Sequence, residues 1–333
     1  MSTTEIITPD ALDKEDAIDQ NLRPTALRDY VGQDVARQNI GIMVEASKIR
    51  GTLPDHVLLH GPPGLGKTTL AHIIANELST SIHTTSGPAL ERSGDVVALV
   101  SSLPKNSILF IDEIHRLRRT LEEVLYSAME DGHVDVVMGK GPTAKSVRLT
   151  LPPFMLIGAT TRIGALSGPL RDRFGTHLHL DFYTTDELSA IVRRTATTLN
   201  LTLEPAAIRM LAERSRKTPR IVNRLLRRVH DYVTAHALSG PVTAETVRTV
   251  LAMQTIDDNG LTEQDRRYLA YLTRHQHRPV GLTTLAAALS EELDTITDVI
   301  EPYLLQEGYI QRTPQGRIAT PHATGYNGTL PLS

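Results

Sequence analysis

Gly61-Pro-Pro-Gly-Leu-Gly-Lys-Thr-Thr69 decides the fold. Its glycines let a backbone wrap closely around an anion, and the residues behind them open a helix reading Thr68 to Leu78. Ahead of the loop, His56-Val-Leu-Leu-His60 is a short β-prone run. Strand, Gly-rich loop and helix in this order form a phosphate-binding loop, in which successive N–H groups and the helix N-terminus supply positive potential. Gly64, Leu65, Gly66 and Thr69 then belong to the nucleotide cradle, Lys67 reaches the β- and γ-phosphates, and the Thr68 hydroxyl ligates Mg2+. About forty residues on, Ser107-Ile-Leu-Phe-Ile-Asp112-Glu113 ends a second apolar strand in two carboxylates. Asp112 is placed to meet the metal, and Glu113 to polarise the attacking water. The pair predicts hydrolysis of a nucleoside triphosphate, with ATP and Mg2+ as cofactors.

The surrounding chain restricts what that hydrolysis serves. Its 333 residues suggest two or three domains. It holds no cysteine, so disulfides and thiolate zinc sites are excluded, and the polar start Met-Ser-Thr-Thr-Glu is unlike a signal peptide. No apolar run approaches a membrane span, and the expected location is cytoplasmic. A net charge of −3 gives no bulk signal for nucleic acid, and the absence of tryptophan argues against broad base-stacking platforms.

Along the chain, residues 1–20 read as a mobile polar segment and 21–183 as a mixed α/β region. Asn106–Ile111 and Phe154–Gly158 are continuous β-prone runs, as expected of parallel strands buried on both faces. From Thr184 the pattern turns helical: Thr184 and Glu187 have capping-box spacing, and Thr218 caps a helix with Pro219 at its first position. This all-helical lid is expected over 184–256. Residues 257–333 read as helices Thr283–Leu289 and Thr295–Gln306, followed by strands around Thr313-Pro-Gln-Gly316, a winged-helix pattern. The fold class is therefore α/β: a P-loop core with a parallel sheet, a helical lid and a C-terminal winged helix.

Several further stretches carry a family resemblance. Leu22-Arg-Pro-Thr-Ala-Leu-Arg-Asp-Tyr-Val-Gly-Gln33, Leu109-Phe-Ile-Asp-Glu-Ile-His-Arg-Leu117, Gly158-Ala-Thr-Thr-Arg162, Leu166-Ser-Gly-Pro-Leu-Arg-Asp-Arg-Phe174, Thr218-Pro-Arg220 and Ile310-Gln-Arg-Thr-Pro-Gln-Gly-Arg317 stand in one order. With the phosphate loop, they resemble the hexameric AAA+ ATPases and, within them, the RuvB family of Holliday-junction branch-migration motors. The resemblance covers about residues 20–328. It implies that Thr160 or Thr161 is sensor 1, that Arg173 (with Arg171 as competitor) is the arginine finger, and that Arg220 is sensor 2. It also implies that Leu22, Arg23, Tyr30, Val31, Tyr183 and Pro219 enclose the nucleotide. Lys217 departs from the family's usual glycine before Thr218-Pro-Arg220, which puts the reach of Arg220 in question.

His133–Pro142 and Lys145–Leu151 read as a hairpin inserted between the magnesium strand and the sensor strand (133–151), with Gly139 and Gly141 near its tip. The resemblance implies that its exposed apolar residues, Val136 and Met138, meet a RuvA-type junction-binding protein, and that Holliday-junction DNA, a RuvC-type resolvase and a homo-hexamer ring complete the partners. In the wing, Arg312 and Arg317 flank a Pro/Gly turn, which suits phosphate contact. Residues 258–333 hold six arginines against nine carboxylates, so DNA contact falls to this local patch. The competing readings are a clamp loader or initiator, for which the collar-type domain is missing, a protein remodeller, for which no aromatic pore loop is seen between Leu78 and Ser107, and a non-motor ATP-dependent scaffold, which the intact Asp112-Glu113 pair disfavours.

Overall fold

The structure is a computed structural model that describes residues 22–138, 145–275 and 278–324. The expected mobile segment 1–20 and the hairpin-tip glycines lie outside the described residues. Contacts divide the chain into two compact units, one made of the residues up to Gly61 with Gly66–Asp181, the other of Pro62–Leu65 with Phe182 onward.

The first unit is built on a parallel sheet in the order β2-β3-β6-β1-β7: β1 Val57–His60, β2 Ile82–Ser86, β3 Ser107–Asp112, β6 Phe154–Thr160 and β7 Thr176–His179. β1, β3 and β6 are buried almost end to end, which is why their sequences are unbroken apolar runs. β2 and β7 are the edge strands, and both are more polar and more exposed. Register sets His60 beside Thr160 and Ile111 beside Gly158. The strands thus end together, and the loops that follow them share one edge of the sheet. Beneath them, Leu58, Leu109, Ile111 and Leu156 pack with Leu121, Leu125 and Phe174 in one core. The helix Arg119–Asp131 stops at Gly132 in the left-handed region (φ 63°) and leads into the hairpin of β4 (His133–Met138) and β5 (Lys145–Thr150). A bond from the Leu151 N–H to the Gly132 carbonyl (2.8 Å) closes the hairpin's base.

In the second unit, four helices (Thr185–Thr198, Pro205–Glu213, Pro219–Ala235 and Ala244–Met253) form the lid. The capping box at its entrance is present: the Glu187 carboxylate accepts from the Thr184 N–H at 2.7 Å, and the Thr184 hydroxyl accepts from the Glu187 N–H at 3.3 Å. Thr218 stands at the expected cap position, but its hydroxyl donates back to the Ser215 carbonyl (3.3 Å) instead of capping. The winged helix follows, with helices Glu263–Arg274 and Leu282–Leu289 and a long helical run, Leu293–Gln306, that includes a π-turn at Ile296–Ile300. β8 (Ile310–Thr313) and β9 (Gly316–Ala319) form the wing, and Val280 bridges to Arg317. Gly316 is required there: at φ 146°, an added Cβ would lie 2.3 Å from the Val280 carbonyl oxygen. Among the described residues, no helix is long and apolar enough to cross a membrane.

Candidate nucleotide site

The loop after β1 and the ends of β3 and β6 place the candidate residues of the first unit on the C-terminal edge of the sheet. Lys67 is buried (8 % exposed), and its Nζ donates to the Gly61 carbonyl at 2.8 Å. Burial lowers its pKa to about 8, with Asp112 pulling the other way. The cation is therefore held in a poorly solvated cradle that an anion would stabilise. Gly66 has φ 98°, and an added Cβ would lie 2.6 Å from the Tyr30 Oη, so the tyrosine lies directly against the loop. Residues 22–31 are fastened to the helix Lys67–Glu77 by the Leu27 N–H to Glu77 Oε1 (2.9 Å) and by Asn76 Nδ2 to the Thr25 carbonyl (2.9 Å). That brings Leu22 and Tyr30 (buried), Val31 (half-buried) and Arg23 (exposed) to the same helix; Thr69 is half-buried within it.

The two expected magnesium ligands are adjacent. The Thr68 Oγ1 lies 3.3 Å from the Asp112 Oδ2, close to the roughly 3 Å that separates neighbouring oxygens around Mg2+ with bonds of about 2.1 Å. Among the described residues, no group of three or more His, Cys, Asp or Glu side chains is arranged to hold a metal. This suits Mg2+, which takes one or two protein oxygens and fills its shell with phosphate and water. The residues present fit the ion.

Glu113 follows in the left-handed region (φ 48°), an uncommon conformation for a side chain of this kind and one found at functional sites. Its N–H donates to the Asp112 Oδ1 (2.8 Å), and its half-exposed carboxylate accepts from Arg116 at 3.2 Å. Arg116 is a partner that the sequence reading missed. Of the two sensor-1 candidates, Thr160 is buried, with its hydroxyl accepting from the Arg162 N–H (2.9 Å) and lying 3.1 Å from His115 Nδ1. Its oxygen is thus committed within the protein, whereas Thr161 is half-buried at the strand's end.

Arg173 lies at the opposite edge. Its Nε is 2.8 Å from Glu130 and its Nη2 donates to the Met129 carbonyl at 3.2 Å, in a cavity also lined by Asp55, His56, Asn106 and Pro153. Those last four precede β1, β3 and β6, so this is the N-terminal edge of the sheet. The strands between the two edges are four to seven residues long, or roughly 13–23 Å. Arg173 therefore does not share an edge with its own phosphate loop. Arg171 pairs with Asp172 at 3.6 Å.

The second unit holds its own share of the loop. The Tyr183 Oη donates to the Leu65 carbonyl (3.2 Å), and the Arg220 N–H donates to the Gly64 carbonyl (3.4 Å). Pro219 and Arg220 form the first turn of the lid helix that also carries Arg224, Arg227 and Arg228. Burial, then the neighbouring cations led by Arg220, pushes the Arg224 guanidinium below its usual range. This part of the helix is electropositive. Lys217 keeps the left-handed backbone (φ 56°) without being glycine, and Arg216 before it does the same (φ 54°), each at about 1–2 kcal/mol.

In the hairpin, Val136 was expected to be exposed. It is partly buried and packs on the core of the first unit, because its strand runs directly out of that core. Among the described side chains of the hairpin, the exposed apolar ones are Val147 (39 %) and Leu149 (38 %) on β5. The side chain of Met138 lies outside the described residues. In the wing, Arg312 and Arg317 converge on Glu301, which is fully buried. The Arg317 Nε is 2.7 Å and the Arg312 Nη2 is 2.6 Å from its two oxygens, with the Tyr268 hydroxyl donating at 2.9 Å. Burial and the charge of Glu301 raise the Tyr268 phenol far above its usual range. Arg317 is mostly enclosed, while Arg312 stays half-exposed. Sequence reading missed Glu301; its only sign is a carboxylate set between Ile300 and Pro302-Tyr303 in an otherwise apolar run.

A parallel sheet with a phosphate loop, a strand-end Asp-Glu pair and an arginine-bearing helical lid defines an AAA+ P-loop ATPase. Residues 22–180 match the P-loop domain of the Holliday junction DNA helicase RuvB, 183–257 the RuvB AAA lid domain and 258–327 the RuvB C-terminal winged helix domain. The solved structure of the Thermotoga maritima RuvB Holliday junction branch migration motor is 48 % identical, with a TM-score of 0.83, over 91 % of this chain and 97 % of that one. A point mutant of the same protein is 47 % identical, with a TM-score of 0.84, over 92 % of this chain and 99 % of that one. The chain belongs to the RuvB family.

Proposed function

We propose that this chain is the ATP-driven motor subunit that moves Holliday junctions along duplex DNA in recombination and repair. One observation carries the reading: a complete phosphate-loop site and a DNA-type winged helix occur in one chain with the domain order and 48 % identity of a branch-migration motor. In the site, Lys67 and the loop N–H groups bind and orient the phosphates. Thr68 and Asp112 would hold Mg2+, which supplies charge neutralisation on the β- and γ-oxygens. Glu113 orients the lytic water and draws its proton, and Thr161, half-buried next to the committed Thr160, senses the γ-phosphate. Tyr30 and Tyr183, with Leu22, Arg23, Val31 and Pro219, enclose the base and sugar, and Arg220 reaches the γ-phosphate from the lid.

Arg173, on the far edge of the sheet, serves the nucleotide of a neighbouring copy, which supports a ring, with a hexamer as the expected form. β5, with Val147 and Leu149 exposed, is the face offered to a RuvA-type partner, and a RuvC-type resolvase would act on the same junction. The expected location is the cytoplasm. The test is conversion of synthetic four-way junctions with ATP, with and without a RuvA-type protein. ATP-dependent conversion of junctions, stimulated by the partner, is expected. Stable DNA binding with hydrolysis but no junction movement would instead indicate a clamp-loader-like or scaffold ATPase.

A further inference from the structure

The two left-handed residues before the sensor-2 turn both reach from the lid to the winged helix. Arg216 is buried within the second unit and ends in three different kinds of partner. Its Nη1 lies 3.4 Å from the Asp265 carboxylate, its Nη2 donates to the Val299 carbonyl (3.1 Å) and the Ile300 carbonyl (3.4 Å), and its guanidinium sits 4.9 Å over the Tyr303 ring. The two carbonyls belong to the π-turn Ile296–Ile300 of the winged helix. A π-turn frees backbone acceptors from the ordinary helical ladder, and here an arginine takes them up. Asp265 is itself the carboxylate that caps the helix Glu263–Arg274 through Thr262. Lys217, the next residue, forms an ion pair with Glu307 at 2.5 Å, at the end of the helix Glu301–Gln306. Arg214 reaches Asp258 at 2.8 Å.

The other side of the same short segment holds the nucleotide loop. The Lys217 carbonyl accepts from the Tyr183 N–H (3.0 Å), and the Tyr183 Oη and Arg220 N–H bind the Leu65 and Gly64 carbonyls. Within five residues, Arg216 to Arg220, the chain therefore touches the phosphate loop through its backbone and the winged helix through its side chains. Glycine at 217 would adopt the same φ without penalty, yet the position carries a lysine whose ammonium reaches the other domain.

We propose that Arg216 and Lys217 are coupling residues: they fasten the winged helix to the sensor-2 elbow, so that a shift of the lid at the phosphate loop moves the DNA-binding domain with it. Arg216 positions the domain by a planar fork that holds carboxylate and carbonyls together, which a lysine cannot reproduce. Lys217 and Glu307 fix its rotation about that fork. This inference rests on the motor reading above, and on DNA contact by the winged helix.

The test compares full-length wild-type, Lys217→Gly, Glu307→Gln, Arg216→Lys and Arg216→Met proteins. Three quantities are measured: ATPase without DNA, junctions converted per ATP hydrolysed, and the ratio of duplex-DNA Kd with ADP to that with a non-hydrolysable ATP analogue. Lys217→Gly and Glu307→Gln are expected to keep DNA-free ATPase within about twofold while junction conversion per ATP falls about tenfold, the size of an ordinary coupling constant. The Kd ratio should move toward one, with Arg216→Lys intermediate and Arg216→Met the most affected. A merely structural role would lower ATPase in proportion to the folded fraction and leave both conversion per ATP and the Kd ratio unchanged. Should Arg216→Met fail to fold, with Asp265 left buried and unpaired, the two outer variants decide. Variants that fold and retain both conversion per ATP and the Kd ratio overturn the inference. A wild type that hydrolyses ATP but moves no junction overturns the motor reading alone, and the Kd ratio then still decides the coupling.

Discussion

Lys67→Met should make the empty protein more stable while abolishing ATP binding. The lysine is buried in the loop's cradle, and its pKa falls from 10.5 to about 8. A depression of that size corresponds to about 3 kcal/mol of unfavourable charge burial. The sign is set by protonation: below pH 8 the amine is charged in both folded and unfolded chains, so the full penalty is present. Between about pH 8 and 10.5 the folded form is already neutral while the unfolded form is still charged, and the penalty fades. Methionine keeps the length of the side chain and removes the charge, but it also leaves the Gly61 carbonyl without its donor at 2.8 Å, a loss of about 1 kcal/mol. The net gain is about 1–2 kcal/mol at pH 7, or a few degrees in Tm at about 2–4 °C per kcal/mol. Scanning calorimetry of both proteins without nucleotide at pH 7 and pH 9.5 measures it. The mutant should melt higher at pH 7, with the gap closing at pH 9.5, and added ATP should raise the Tm of the wild type alone. A mutant melting lower at pH 7, or a gap independent of pH, would refute the charge-burial argument.

Glu113→Gln should bind ATP normally and lose turnover by at least about a hundredfold, as measured by equilibrium binding and steady-state hydrolysis; normal turnover would remove Glu113 from the water-activating role. Arg173→Ala should bind ATP but not hydrolyse it, and mixing it with Lys67→Ala protein should restore part of the activity. No recovery after proven subunit exchange would mean that Arg173 does not act on a neighbour's site. In the wing, Arg312→Ala should lower the log–log salt slope of duplex binding by about 1 for unrelated sequences. Arg317→Ala should instead lower stability, by up to about 3–5 kcal/mol, because Glu301 is fully buried and loses a partner. Equal effects of the two on the salt slope, with no loss of stability, would contradict this division.

The phosphate chemistry was legible in the sequence because it depends on local order. Strand, loop and helix are consecutive, and Asp112 ends an apolar run that could only be a buried strand. The edge strands Ile82–Ser86 and Thr176–His179 were not legible, because one side of each lacks a neighbour and their sequences are accordingly polar. Contacts between distant positions were least visible. Arg312 and Arg317 stand beside a turn like phosphate-binding residues, and nothing local shows that both reach Glu301, eleven and sixteen residues earlier. Val136 belongs to an inserted ribbon outside the catalytic motifs and was expected to be exposed, yet it packs inward because the hairpin starts at the core. Thr218 occupies a cap position, but its hydroxyl turns back to Ser215, since the two left-handed residues before it bring that carbonyl within reach.

The division of the sheet has a consequence for how turnover can be controlled. Lys67, Thr68, Asp112 and Glu113 are all set by the strand ends on one edge, and Arg173 is set by the loop before β7 on the other. A parallel sheet cannot bring its two edges together, so an arginine finger at this position would complete a site only when a second copy presents its own C-terminal edge to it. In the single chain the guanidinium is ion-paired with Glu130 and donates to the Met129 carbonyl, at the end of the helix that leads through Gly132 into the hairpin. An arginine already paired has to exchange that partner for phosphate, and the exchange is favourable only where the phosphate carries more negative charge than one half-exposed carboxylate offers. ATP with its γ-phosphate meets that condition better than ADP. On the proposed ring, hydrolysis on one copy would be tied to the position of an arginine on the next, and release of that arginine would return it to the root of the hairpin. The chemistry of one site and the placement of the neighbour's inserted hairpin would then be linked through a single side chain.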